Sequence, residues 1–259
     1  MPIDSLEKTL APERLAQLRD LVRARRVMRL QEICRELAVS TATARRDLEE
    51  LEKRGELRRV HGGAVSVESR LEEPLFDDKT ALAAREKQRI AAAALARIKP
   101  DETIYLDGGS TVLALARLLR DRSNVTVVTN SLRAAIELSG AGPRLILVGG
   151  ELRRLSQTVV GPLTRSVREE LHVDRAFMGT MGFGTEGLTT TDAGEAFTKE
   201  LVMRRAREVV LLADSSKAGK ILFARAGRLE QVHLVITDKQ LAPEWTRELA
   251  KRGVKIEKV

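Results

Sequence analysis

Five polar turns beyond residue 100 have the residue types needed to bind an anion. Paired glycines let the backbone approach an anion closely, while hydroxyls and free helix N–H groups donate hydrogen bonds and a lysine adds positive charge. Alternatively, Gly-Gly turns and polar residues at strand ends are ordinary connections in α/β proteins. The turns are Asp107-Gly108-Gly109-Ser110-Thr111, Thr129-Asn130-Ser131, Gly149-Gly150, residues 179–182 and Asp214-Ser215-Ser216-Lys217.

A second group of residues, between Val39 and Val65, has the chemistry to bind DNA. Hydroxyl and arginine side chains lie at the start of a predicted helix, where they can reach base edges in the major groove. A basic hairpin follows and can contact the flanking backbone or the minor groove. The alternative is a solvated helix face in which the arginines pair with Asp47, Glu49 and Glu50. The predicted DNA-binding residues are Ser40, Thr41, Thr43, Arg45, Arg46, Arg58, Arg59 and His61.

Three short helices and a hairpin must position these DNA-binding side chains. Two helical patterns come first, and Ser40 is a suitable N-cap for a third helix over residues 41–54. Gly55 is expected to end that helix, since glycine adopts the left-handed conformation of a C-cap. Alternation around two glycines predicts a hairpin over residues 57–65. We therefore predict a winged helix-turn-helix domain over residues 11–66.

The remainder of the chain predicts an α/β domain with a mainly parallel sheet. Short β-branched runs alternate with helical patterns, which is typical of strands buried on both faces. Ligands of such sheets bind beyond the carboxyl ends of the strands, where the polar turns lie. We assign residues 67–84 to a linker with an extended portion and residues 85–259 to this domain. The predicted strands are Thr103–Asp107, Val125–Asn130, Leu145–Gly149, Ala176–Gly179, Val209–Asp214, Leu234–Asp238 and Val254–Glu257.

The net charge of +8 is not concentrated in the predicted DNA-binding segment. Residues 1–60 carry 14 basic and 11 acidic side chains, a difference of +3. Residues 61–198 carry 17 and 18, a difference of −1, and residues 199–259 carry 14 and 8, a difference of +6. The placement of the arginines, rather than the total charge, therefore carries the prediction of DNA binding.

The composition excludes several classes of protein. One cysteine and three histidines cannot form a disulfide framework or a Cys- or His-rich metal site, so we predict no metal and no cofactor. The sequence contains neither an apolar run of about 18 residues nor a signal peptide pattern, which predicts a cytoplasmic protein that does not bind a membrane. Because no aromatic residue precedes Phe76, the first quarter offers no stacking platform for single strands.

The DNA-binding segment is similar to the DeoR family of bacterial transcriptional regulators. The Arg-Arg-Asp-Leu and Val-His-Gly-Gly pieces occur together in that family and not in helix-turn-helix proteins generally. The resemblance implies a DNA-binding winged helix. It is carried by Val39-Ser40, Thr43-Ala44-Arg45-Arg46-Asp47-Leu48, Gly55 and Arg59-Val60-His61-Gly62-Gly63-Ala64.

The second domain resembles the DeoR-type sensor domain. This implies a fold related to ribose-5-phosphate isomerases and coenzyme A transferases, and a phosphorylated sugar as ligand. Glu195 and Lys199 match an acid and a lysine that line the pocket of that family, although a solvated i,i+4 pair is the alternative. The resemblance lies in residues 106–111, 128–131, 148–150, 160–162, 187–190 and 213–217.

The resemblance implies a repressor of a sugar or carbohydrate catabolism operon. It would bind a double-stranded DNA operator as a homo-oligomer, a dimer or a tetramer, and a phosphorylated sugar effector would relieve repression. The residues leave two alternatives open, an isomerase-like enzyme with a DNA-binding appendage and a constitutive DNA binder with a vestigial pocket. Isomerisation needs a carboxylate base, and residues 179–183 contain no acid, although Asp107, Asp192 or Glu195 offers a substitute. We predict that the chain is not an enzyme.

Overall fold

The computed structural model describes residues 11–25, 27–60, 62–66, 76–164 and 170–259. The chain divides into two compact units between residues 70 and 71. The first unit has one hydrophobic core and the second unit has two.

The first unit is a winged helix-turn-helix. Its three strands form an antiparallel sheet in the order β1-β3-β2, so the predicted hairpin is confirmed and gains a third strand that the sequence did not reveal. The tip of this wing is tied to the second helix by the Leu30 N–H, which donates to the Gly62 carbonyl at 2.8 Å. The elements are α1 (Ala11–Arg25), β1 (Val27–Arg29), α2 (Leu30–Glu36), α3 (Thr41–Lys53), β2 (Leu57–Val60) and β3 (Gly63–Ser66).

One small core holds the first unit together. Leu48 and Leu51 of α3 are buried, as their spacing predicts, and pack with Leu18 of α1 and Ile33 of α2. Gly55 has φ +72° directly after the helix, the left-handed conformation expected of a C-cap glycine. This core fixes α3 as a rigid support for the side chains at its solvent-exposed start.

The second unit is built on a seven-stranded sheet in which every neighbouring pair is parallel. All seven predicted strands are confirmed, with bounds that differ by up to three residues. The order is β15-β14-β12-β9-β4-β5-β6. The elements up to the sixth strand are α4 (Phe76–Ala81), α5 (Ala84–Leu95), β4 (Thr103–Leu106), α6 (Ser110–Leu118), β5 (Thr126–Thr129), α7 (Leu132–Leu138) and β6 (Arg144–Leu147).

The later part of the second unit adds small antiparallel pieces to this sheet. A hairpin, β7–β8, follows β6, and a three-stranded sheet has the order β10-β11-β13. These elements are β7 (Glu151–Arg153), β8 (Thr158–Val160), β9 (Val173–Met178), β10 (Gly182–Gly184), β11 (Gly187–Thr190), α8 (Ala193–Met203), β12 (Ala206–Leu212), β13 (Ala224–Gly227), β14 (Leu234–Thr237), α9 (Pro243–Lys251) and β15 (Lys255–Lys258).

Side chains of the parallel strands enter two cores, one on each face of the sheet. On β4, Ile104 and Leu106 pack into one core and Tyr105 into the other. Burial on both faces explains why these strands have continuous apolar sequences.

Among the described residues, no helix has the length and apolar run needed to span a membrane.

The predicted linker requires a correction. We assigned residues 67–84 to a linker with an extended portion, but Phe76–Ala81 forms the helix α4 and Ala84 already begins α5. The Phe76 ring is buried in the core of the second unit, so packing rather than helical periodicity stabilises this short helix. Residues 67–75 lie outside the described residues.

Candidate functional site

The start of α3 presents the predicted DNA-binding residues on a capped helix. The Ser40 hydroxyl accepts a hydrogen bond from the Thr43 N–H at 3.2 Å, which confirms the predicted N-cap. The Ser40 and Thr43 hydroxyls also share a hydrogen bond at 2.9 Å, while Thr41 is exposed one residue into the helix. These interactions fix the backbone from which the arginines of α3 project.

Arg45 and Arg46 are exposed and form no ion pair with any described carboxylate. The predicted pairing of these two arginines with Asp47, Glu49 and Glu50 is therefore wrong, because those acids are engaged with other side chains. Two guanidinium groups remain available to an anionic partner. The acids pair as follows: Asp47 with Arg14 (2.7 Å), Glu49 with Lys53 (3.1 Å) and Glu50 with Arg54 (2.8 Å).

The β2–β3 hairpin contributes one described basic side chain. Arg59 lies on β2, where its backbone N–H donates to Glu52 at 2.9 Å and its guanidinium lies 3.7 Å from the same carboxylate. This contact links the wing to the end of α3 and partly neutralises the charge of Arg59. The side chain of Arg58 and all of His61 lie outside the described residues, so their predicted roles stay predictions.

In the second unit, the Asp107–Thr111 turn joins the carboxyl end of β4 to α6. Gly109 has φ +127° at the N-cap position, a conformation that a side chain would strain. The helix begins at Ser110, so Ser110 and Thr111 form its first turn. The free N–H groups of that turn lie at the carboxyl edge of the sheet, where an anion would meet the positive end of α6.

The Asp107 carboxylate is buried and paired with Lys199, which donates to it from α8. The Gly179 N–H donates to the same oxygen at 2.9 Å, and the Lys199 ammonium also reaches the Gly179 carbonyl at 3.0 Å. Burial raises the pKa of Asp107, against the opposing effect of the Lys199 charge. The two predicted effector residues thus neutralise each other and join β4, β9 and α8.

Glu195 is the second buried acid at this edge, and it does not pair with Lys199. Its carboxylate accepts hydrogen bonds from the Thr190 and Thr158 hydroxyls at 2.8 and 3.3 Å, and it lies 3.3 Å from Arg153. The solvated i,i+4 pair is therefore wrong. Thr158 and Arg153 belong to the β7–β8 hairpin, whose role at this edge sequence reasoning missed.

Thr158 brings the hairpin against the Asp107–Thr111 turn. Its methyl group occupies the position that a Cβ on Gly108 would need, so a side chain at Gly108 would clash with it. It also pairs with Ser131 in an isolated β-bridge, which joins the end of β5 to the same cluster. Gly150, in the turn before β7, has φ +147° and packs against Val159. Gly149 and Gly150 therefore shape the hairpin.

The Thr129–Ser131 turn is also buried, and its polar groups are mostly satisfied by protein. The Thr129 hydroxyl donates to the Leu106 carbonyl at 2.6 Å, and Ser131 caps α7. The Asn130 amide nitrogen donates to the Val159 carbonyl at 3.0 Å, while its Oδ1 is buried with no hydrogen-bond partner among the described residues. This turn positions α7 and the hairpin beside the Asp107–Thr111 turn.

Lys217 lies beyond the end of β12, two strands away from β4 in the sheet order. Adjacent strands are spaced about 4.8 Å apart, so these two strand ends are separated by about 10 Å. Burial lowers the pKa of Lys217, while the neighbouring Asp214 opposes that shift. The structure adds a lysine that sequence reasoning missed, Lys87 of α5. Burial lowers the pKa of Lys87 to about 8, with a raising effect from the Asp214 charge and a lowering effect from the Lys217 charge.

Lys87 could have been found from a local rule. It lies near the start of α5, where the helix dipole disfavours a cation and favours an acid such as Glu86. A cation at that position therefore indicates a partner outside its own helix.

Among the described residues, no group of histidine, cysteine or acidic side chains has the arrangement needed to hold a metal.

Comparison with known proteins matches both units. The DeoR-like helix-turn-helix domain family matches residues 14–70, and the DeoR C terminal sensor domain family matches residues 82–239. The chain belongs to the DeoR family. The HTH-type transcriptional regulator GlpR of Haloferax volcanii is 37% identical over 248 residues, which cover 95% of this chain and 97% of that protein.

Other DeoR-family relatives are also transcriptional regulators. The lactose phosphotransferase system repressor of Streptococcus mutans is 36% identical over 232 residues, covering 88% of this chain and 92% of that protein. These relatives are named as regulators and not as enzymes, in agreement with the prediction that this DeoR-family chain is not an enzyme.

Among solved structures, ribose 5-phosphate isomerase A of Methanocaldococcus jannaschii aligns with a TM-score of 0.39 and 24% identity, over 52% of this chain and 54% of that one.

Proposed function

We propose that this DeoR-family regulator represses a sugar or carbohydrate catabolism operon and that a phosphorylated sugar weakens its binding to the operator. The DNA-binding part of this proposal is supported by the two unpaired arginines at the capped start of α3. Arginine can donate two hydrogen bonds to one guanine, which discriminates against other bases by roughly 1–3 kcal/mol. Arg45 and Arg46 are the residues we assign to base or phosphate contacts.

The effector part is supported by one observation above all, the convergence of anion-binding groups at the carboxyl edge of the sheet. The Gly108-Gly109 turn presents the N-terminus of α6 there, and the half-buried Lys217 lies at the same edge. The buried pair of Asp107 and Lys199 holds the turn in place. We therefore assign the phosphate to the α6 N-terminus and Lys217, and the Asp107, Glu195 and Lys199 groups to fixing the shape of the site around the sugar.

Turnover of the sugar is not part of the proposal. A general base must be free to accept a proton from the substrate. Both buried acids already accept several hydrogen bonds, Asp107 from Lys199 and Gly179, and Glu195 from two threonines. Binding without catalysis accounts for this arrangement. It also matches the lack of any acid in residues 179–183.

We further propose that the protein acts in the cytoplasm, where it reaches chromosomal DNA, and that it binds as a homo-oligomer. Helix-turn-helix proteins commonly read two half-sites related by symmetry, which requires two copies of α3 about 34 Å apart. A dimer or a tetramer meets this requirement. Light scattering of the purified chain, alone and on operator DNA, tests it.

A thermal-shift screen tests the effector part. Each phosphorylated sugar is compared with the same sugar lacking the phosphate, so that binding of the phosphate is measured separately from binding of the ring. We expect a phosphorylated sugar to raise the melting temperature and the Lys217→Met variant to lose most of that increase. Lys99→Met is the matched control, because Lys99 is exposed before the start of β4, at the opposite edge of the sheet. If no sugar phosphate stabilises the wild-type chain, the effector part is wrong.

A further inference from the structure

The two edges of the seven-stranded sheet differ in their chemistry. β15, at one edge, has the sequence Lys-Ile-Glu-Lys, and charged side chains on an edge strand disfavour pairing with another chain. β6, at the other edge, has the sequence Arg-Leu-Ile-Leu, and β5 is its only neighbour among the described strands. One edge is therefore protected by charge, while the other presents an apolar strand.

The outer edge of β6 has backbone groups that are directed away from the sheet. The N–H groups of Arg144 and Val148 donate to carbonyls at either end of β5, at 3.1 and 2.8 Å. Because the backbone groups of a strand alternate in direction, the N–H and carbonyl groups of Leu145 and Leu147 point away from β5. Pro143 has no N–H, so this row of donors begins at Leu145. A strand of another chain can pair with it.

Apolar side chains accompany this edge on the strand and on the helix beside it. Leu147 is 47% exposed, and Ile136 of α7, the helix that connects β5 to β6, is 63% exposed. Ala134 and Leu138 form the buried side of α7, which packs against both strands. Exposed apolar groups beside an unpaired strand edge are typical of a surface that another protein covers.

We propose that β6 forms an interface between two copies of this chain, in which the two β6 strands pair in antiparallel orientation and join the two sheets. The best register places Leu145 opposite Leu147 of the second copy. Both outward-pointing residues of each strand then lie in hydrogen-bonded pairs, and Ile146 meets the same residue of the second copy at the two-fold axis. Other two-fold registers pair only one outward residue within the bounds of β6.

Symmetry and charge favour a second copy as the occupant, with β6 meeting β6. Pairing of β6 with β15 of another copy would repeat without closing, whereas pairing of β6 with itself closes as a two-fold dimer. Arg144 and Glu151 are exposed and form no ion pair within the described residues. Antiparallel pairing brings Arg144 to the end of the other strand that leads to Glu151. This inference rests on the proposed homo-oligomer and assigns the surface that forms it.

Sedimentation velocity of the full-length chain across a range of concentrations tests the interface. Leu147→Lys adds a charge to the edge of each β6 strand, and it should raise the dissociation constant at least about tenfold without lowering the melting temperature. A wild-type dimer should become a monomer, and a wild-type tetramer a dimer. Phe223→Lys is the matched control, because Phe223 is 72% exposed before β13, outside the seven-stranded sheet. It should leave self-association unchanged.

A disulfide tests the register, in a Cys34→Ala background that removes the native thiol. In the proposed register the two Ile146 Cα atoms form a non-hydrogen-bonded pair about 4.5 Å apart, within the range that a disulfide spans. The two Leu147 Cα atoms are diagonal neighbours about 7–8 Å apart, which is too far. Oxidised glutathione should therefore link Ile146→Cys into a covalent dimer and leave Leu147→Cys unlinked.

The outcomes separate this inference from the proposed function. A wild-type oligomer that Leu147→Lys leaves intact would overturn the β6 interface and leave the proposed homo-oligomer standing. Linking of Leu147→Cys without linking of Ile146→Cys would overturn the register. A wild-type chain that stays monomeric at every concentration, alone and on operator DNA, would overturn both proposals. If Leu147→Lys unfolds the chain, the Ile146→Cys cross-link decides, and its absence would overturn the interface.

Discussion

The two units use charged side chains in opposite ways. In the DNA-binding unit, Arg45 and Arg46 are exposed and have no ion-pair partner among the described carboxylates. In the sensor unit, Asp107 and Lys199 are buried and paired with each other. An exposed, unpaired charge is available to a large anionic partner, whereas a buried pair costs desolvation and is stable only with well-placed partners. The first arrangement suits binding on a surface, and the second suits a cavity of fixed shape.

The strongest expected effect comes from breaking the buried pair. Lys199→Met leaves the Asp107 carboxylate without its counter-charge and should lower the free energy of unfolding of the sensor unit by roughly 3–5 kcal/mol. The matched control is Lys53→Met, which breaks the exposed ion pair with Glu49. It should lower the free energy of unfolding of the DNA-binding unit by less than about 1 kcal/mol. Urea denaturation of both variants measures the difference. Equal losses would show that the contrast between the units is wrong.

A double variant sharpens the same comparison. Asp107→Leu combined with Lys199→Met removes both charges, so no buried ion is left without a partner. We expect the double variant to lose less stability than the sum of the single variants, by at least about 1 kcal/mol. Additive losses would mean that the two groups do not act as a pair.

The next effect concerns the exposed charges. Arg45→Ala and Arg46→Ala should each weaken operator binding. If the arginine contacts a base, we expect a loss of roughly 1–3 kcal/mol and a weaker preference for the operator sequence. If it contacts phosphate, the loss should be smaller. Arg54→Ala is the control, because Arg54 is also exposed on this segment but is paired with Glu50. Fluorescence anisotropy on operator and scrambled DNA separates these cases. A loss for Arg54→Ala that equals the loss for Arg45→Ala would contradict the role of unpaired arginines.

A smaller effect is expected at the helix cap that supports those arginines. Ser40→Ala removes the acceptor for the Thr43 N–H and should lower the stability of the DNA-binding unit by about 1 kcal/mol. Ser40→Asp retains an acceptor at this position and should restore most of that stability. Thermal unfolding followed by circular dichroism measures both. A fully stable alanine variant would show that the cap is dispensable.

The smallest effect is a change of anion binding with pH. Sulfate keeps its charge of −2 across the range, so any change must come from the protein. The Lys87 pKa of about 8 means that its ammonium deprotonates between pH 7 and pH 9, near the charged groups of Lys217, Lys79, Asp214 and Glu86. Sulfate binding should therefore weaken on the order of fivefold across this range. Calorimetric titration of Lys87→Met should show a smaller change, and an equal change would exclude Lys87 as its source.

The sequence predicts the parallel sheet and the helix-turn-helix well, for physical reasons. Strands buried on both faces require continuous apolar runs, and Ser40 and Gly55 have the residue types that begin and end α3. The antiparallel strands β10 and β11 escape prediction because they are short and contain glycine and threonine in place of an apolar run. Helix α4 escapes it because six residues beside Pro74 have no helical period, and the buried Phe76 ring stabilises it instead.

The candidate effector site is predictable only in part. Strand ends place Asp107, Asn130 and Lys217 at one edge of the sheet, since the carboxyl ends of parallel strands meet there. The partner of each group cannot be read from the sequence, because Lys199 reaches Asp107 across 92 positions and Thr158 reaches Glu195 across 37. Lys87 bonds to the backbone carbonyls of Lys79 and Leu82, which carry no signature in the sequence, so only its unfavourable position near the start of α5 indicates that it has a partner.

The most direct test of the account measures operator affinity with and without effector. Chromosomal fragments bound by the protein supply the operator, and the sugar phosphate that stabilises the protein most in the thermal-shift screen supplies the effector. The account predicts that this compound weakens operator binding at least about tenfold, within the usual range of allosteric coupling, while the sugar lacking phosphate has no effect. An operator affinity that no phosphorylated sugar changes would contradict it.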